Sequence, residues 1–125
     1  MIMFPNDMKT IEDFQAFHRW LDEKNNFDPD ILFNMVLLTS EVGEVAQVLR
    51  KIRKQANLLQ NEQEQESCEA MSTAIKQFHE ELGQELADCL AYIFKLANYA
   101  GIDLQEAYVK KMGENVNRTW KTPSG

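Results

Sequence analysis

DPDILFNMVLLTSEVGEVAQVLRKIRK, residues 28–54, decides the fold. Leu38, Val42, Val45, Leu49 and Ile52 step by four and three, which places them on one apolar stripe of a helix. Asp28 before Pro29 reads as an N-cap with proline at the first helical position. The helix is expected to run to about Lys54. Arg50, Lys51, Arg53 and Lys54 then give its last turns the sign that complements the helix dipole. Glu41 and Glu44 interrupt this apolar run, sharing a stripe with Leu37 and Val48.

Working outward, Thr10 and Asp13 have capping-box spacing ahead of Ile11, Phe14, Phe17 and Leu21, a first helix that ends at Asn25 and Asn26. A third helix is expected from about Thr73 to Ala100, with Ile75, Phe78, Leu82, Leu86, Cys89, Ile93 and Leu96 as its core stripe and Gly101 as its stop. Asp103 and Glu106 open a fourth, which continues through Tyr108, Met112 and Val116. Between helices, residues 55–72 form a polar, Gln/Glu-rich stretch without Gly or Pro, expected to be partly helical. Residues 121–125 read as a loose tail. No βαβ alternation is present, so the expected fold class is all-α, a helical bundle in one domain spanning residues 1–125.

Composition narrows the function. The net charge of −7 argues against a nucleic-acid binder, which needs a basic face. No apolar run approaches the ~20 residues of a membrane span, and MIMFPNDMKT does not read as a signal peptide, so no membrane partner is expected. Cys68 and Cys89 form no CxxC and suit a reducing cytoplasm.

Acidic pairs at i,i+3 mean little alone, since 20 acidic residues in 125 give about three by chance. Asp103/Glu106 is a cap, and Glu66/Glu69 lies in the polar stretch. Glu41/Glu44 and Glu85/Asp88 differ, because they adjoin apolar residues and neither pair has a Lys or Arg four residues away. Half-buried carboxylates are costly unless something positive joins them. Glu41, Glu44, Glu85 and Asp88 therefore form a candidate hard, oxygen-only centre suited to Mg²⁺ or Mn²⁺ rather than zinc. Gly43 and Gly83, each within two residues of a carboxylate, would let a helix or ligand approach the backbone.

EVGEVAQ (residues 41–47), QELADCLAY (residues 84–92) and GIDLQEAYVKKMGENVNRTW (residues 101–120) together resemble the MazG-like, all-α nucleotide pyrophosphohydrolases. Their signature is ExxE, a gap, then ExxD, followed by a helix ending in K-M-x-x-N-x-x-R, here Lys111, Met112, Asn115 and Arg118. The resemblance implies a bundle of four or five helices assembled as a homo-dimer or a dimer of dimers. It implies hydrolysis of a nucleoside triphosphate between the α and β phosphates. It also implies that Glu41, Glu44, Glu85 and Asp88 bind Mg²⁺, and that Lys111, Asn115 and Arg118 contact phosphates. The gap between the motifs is longer here than is usual in the family.

For the base, Trp20, Phe33, Tyr92 and Trp120 are candidate flat walls. His18 and His79 read as surface or packing residues. A diiron carboxylate bundle needs Glu-x-x-His, but Gln15 and Lys76 stand three residues before the histidines, so that reading is discounted. A phosphoribosyl-ATP pyrophosphohydrolase and a non-catalytic dimerisation module are the alternatives to an enzyme that cleans the nucleotide pool.

Overall fold

The computed structural model describes residues 7–119. Among them lie five helices and no strand: α1 (Ile11–Asn25), α2 (Ile31–Glu62), α3 (Ser67–Gln77), α4 (His79–Tyr99) and α5 (Leu104–Val116). The all-α class is as expected. Trp120 and the tail lie outside the described residues.

Contacts divide the chain into two compact units, residues 30–93 in one and residues 1–29 with 94–125 in the other. In the unit of residues 30–93, Val48, Ile52 and Ala56 of α2 are buried against Ala74 of α3, with Met71, Phe78 and Leu82 packed around them. The buried stripe is thus rotated from the expected one. Val42 and Leu49 are about half exposed, as is Leu86 on α4, because the small side chains Ala70 and Ala74 draw α3 against the Val48–Ile52–Ala56 face.

Helix α2 differs from expectation at both ends. It is capped by Asp30, whose Oδ1 accepts the Phe33 N–H at 2.7 Å, not by Asp28. It continues past Lys54 to Glu62, because Ala56 extends the four-residue step of Val48 and Ile52 and no breaker intervenes. Arg50 to Lys54 therefore lie in mid-helix, and the last turn of α2 carries no basic residue. By length and composition α2 is also apolar enough to cross a membrane, which corrects the expectation that no segment approaches that length. The expected third helix is two: Phe78 departs from helical geometry at φ −107°, ψ 16°. The offset is local, since Phe78 N–H still donates to Ala74 and Leu82 N–H to Phe78.

In the other unit, α1 begins with the expected capping box, Thr10 and Asp13 each accepting from the other's backbone. Gln15, 4% exposed, is its polar hub. Its amide donates to Asn98 Oδ1 and the Ile102 carbonyl and accepts from Leu104 N–H, tying α1 to the α4–α5 turn. That turn closes on Gly101 at φ +69°, a left-handed conformation that glycine adopts at least cost, and Ile102 N–H reaches back to the Ala97 carbonyl at 2.8 Å. Phe94 stacks on Phe14 and His18, and buried Asp22 is held by Lys95 at 3.4 Å and the Tyr99 hydroxyl at 2.5 Å.

Candidate metal centre

The unit of residues 30–93 contains both acidic motifs. Glu41 comes from α2, and Glu85 and Asp88 come from adjacent turns of α4. One carboxylate oxygen of each lies within 4.8 Å of the others. Two oxygens on one Mg²⁺ are at most about 4.2 Å apart, so a small carboxylate rotation closes the triad on an ion. The donors are all hard oxygens, which fits Mg²⁺ or Mn²⁺ and does not fit a thiolate- or imidazole-selecting metal.

Electrostatics agree with the geometry. Desolvation, then the charges of Asp88, Glu85 and Glu44, push the Glu41 carboxyl above its ordinary value. The same burial and the charges of Glu41, Asp88 and Glu85 push up the Cys89 thiol, so Cys89 is a poor nucleophile. A cation placed among these oxygens reverses the sign of each repulsion. Glu44 is exposed and stands outside the triad that converges, although its charge acts on Glu41.

Lys51 is the feature that periodicity missed. Its Nζ donates to Glu81 Oε1 at 2.8 Å, joining α2 to α4. That hydrogen bond, the charge of Glu81 and more weakly the charges of Glu44 and Glu85 raise the Lys51 ammonium above its ordinary value. The signal was present in the sequence: Lys51 lies two turns beyond Glu44, and Glu81 one turn before Glu85. The basic run also fits a helix C-terminus, which hides the pairing.

The remaining candidates are divided between the two units. Lys111 and Asn115 are on α5 and Arg118 follows it, all in the unit that lacks the carboxylates. Trp20 belongs to that unit too, beside Phe17 and under the Lys24 ammonium. Phe33, half exposed in the first turn of α2, and Tyr92, half-buried on α4, share the carboxylates' unit. Trp120 lies outside the described residues. A Cβ added at Gly43 or Gly83 meets nothing within 4 Å, so no neighbour among the described residues requires either glycine.

An all-helical protein with an acidic, oxygen-only centre shared by two helices is the class these features define. The chain belongs to the family of the MazG nucleotide pyrophosphohydrolase domain, whose family model matches residues 30–119. No curated protein and no solved structure matches it.

Proposed function

We propose that this chain hydrolyses a (deoxy)nucleoside triphosphate between the α and β phosphates, with Mg²⁺ held by Glu41, Glu85 and Asp88 and joined by Glu44 through rotation of its exposed side chain. The observation that carries this reading is the convergence of Glu41, Glu85 and Asp88 from motifs separated by most of α2 and all of α3. Family membership supports nucleotide pyrophosphohydrolase chemistry in general. Bound Mg²⁺ supplies charge neutralisation for the triphosphate and a more acidic water.

The chain's own residues do the rest. The Glu41 carboxylate accepts the proton of the attacking water. The water oxygen bonds to the α phosphorus, the bond from that phosphorus to the bridging oxygen breaks, and pyrophosphate leaves with the electron pair. Lys111, Asn115 and Arg118 are assigned to phosphate oxygens through the family pattern they match. A role in clearing the nucleotide pool of the cytoplasm completes the reading.

Assembly as a homo-dimer or tetramer is part of the same proposal. Leu32, Val36 and Val42 on α2 and Leu90 on α4 are 48–79% exposed. A second copy is the cover that a symmetric assembly would provide. The direct test is a panel of standard and modified nucleoside triphosphates with Mg²⁺, scored for pyrophosphate. A panel that yields no metal-dependent pyrophosphate sinks the reading.

A further inference from the structure

We propose that Lys51 is a substrate-binding residue that receives the β and γ phosphates, and hence the leaving pyrophosphate, with Glu81 holding its ammonium in place between substrates. This inference rests on the hydrolase reading above and deepens it by assigning a phosphate contact inside the unit that contains the carboxylates.

The argument starts from the position of the cation. Glu81 precedes Glu85 by one turn of α4, a rise of ~6 Å. Lys51 Nζ, 2.8 Å from the Glu81 carboxylate, therefore sits beside the helix turn next to the triad. A polyphosphate whose α phosphate lies at the carboxylates can extend toward that turn. The ion pair is open to solvent, with the Lys51 side chain 54% exposed, so an incoming anion can reach it. An exposed pair of this kind contributes little to stability and is readily exchanged for a better anion.

The surroundings have the matching sign. Lys51 is exposed on α2 together with Arg50, Arg53 and Lys54. The helix dipole does not explain these four cations, since α2 runs on to Glu62. Among the described residues, Arg50, Arg53 and Lys54 have no ion-pair partner. In a chain of net charge −7, four cations in five residues concentrate positive potential directly beyond Glu44. An ammonium at this place offsets the charge that builds on the leaving pyrophosphate.

The test is calorimetric titration of the full chain with inorganic pyrophosphate in the presence of Mg²⁺, alongside triphosphate turnover. Lys51→Met should weaken pyrophosphate binding about tenfold, and Lys51→Arg should restore it to within about twofold. Lys76→Met, which removes the same charge from α3, should change it by less than about twofold. Equal losses in Lys51→Met and Lys76→Met, or unchanged binding in Lys51→Met with its fold intact by circular dichroism, overturn the assignment. Wild-type turnover without a Lys51 effect removes Lys51 and leaves the hydrolase reading standing. Pyrophosphate binding that depends on Lys51, with no triphosphate turned over, sustains the anion site and removes the hydrolase.

Discussion

The carboxylates of Glu41 and Asp88, one on α2 and one on α4, approach within 4.8 Å, and the charge on Asp88 helps hold the Glu41 carboxyl above its ordinary value. Two like charges so placed oppose the packing that brings them together. The helices thus spend folding free energy to build a site whose repulsion a divalent cation relieves.

Mg²⁺ is therefore expected to stabilise the fold. Saturating Mg²⁺ should raise the melting temperature by roughly 5 °C or more over a chelated sample, because a ligand bound only by the native state stabilises it by an amount that grows with the logarithm of its concentration relative to its Kd. Mn²⁺ should act similarly. Identical melting and identical activity with and without divalent ions would remove the metal centre.

Glu41→Gln, Glu44→Gln, Glu85→Gln and Asp88→Asn should each lower pyrophosphate release at least ~100-fold while preserving helix content. Glu41→Gln should also melt higher than wild type in chelator, since it relaxes the repulsion from Asp88, Glu85 and Glu44. Glu66→Gln and Glu69→Gln are the control, with the same spacing at the start of α3. Comparable loss in both sets would show that apolar context does not distinguish the functional carboxylates.

Ile52 is 4% exposed in the core shared by α2 and α3. Ile52→Ala should cost about 2–4 kcal/mol, read as a fall in melting temperature of roughly 10 °C. Leu49→Ala, at a half-exposed position one turn away from it, should cost the isolated chain much less. If the two variants melt together in a monomeric sample, the buried stripe is not the one described.

Burial holds His18 below its ordinary value of 6.5, against the pull of Asp22 and with the help of Lys95. The folded state then binds fewer protons at this site than the unfolded chain. Its contribution is complete above about pH 6.5 and is lost as pH falls through the depressed folded value. His18→Phe keeps the ring against Phe94 and removes the titration. Its melting temperature should fall less steeply than that of wild type between about pH 7.5 and 5. Parallel curves for the two proteins would place the acid sensitivity elsewhere.

Light scattering at micromolar concentration should give at least a dimer. Leu32→Glu together with Val36→Glu, at two of the most exposed apolar positions on α2, should shift the population toward monomer. A fully active wild-type monomer would refute the proposed assembly.

Local pattern alone made much of this protein legible. Thr10 with Asp13, Asp103 with Glu106, and Gly101 marked helix ends correctly, because capping depends on residues within one turn. Glu41, Glu85 and Asp88 were also visible, because carboxylates in apolar surroundings without a local counter-charge are conspicuous in one dimension. The tertiary structure decided the rest. Which stripe of α2 is buried depends on Ala70 and Ala74 of another helix, since more than one stripe of α2 is apolar enough to qualify from its own periodicity. Lys51 finds Glu81 across 30 residues, a pairing that no i,i+4 rule registers and that the matching offsets from Glu44 and Glu85 only hint at. The separation of Glu44 from the convergent triad is likewise a matter of distance: spacing along one helix places two carboxylates on a face, but only the packing of α4 decides which of them has partners within reach.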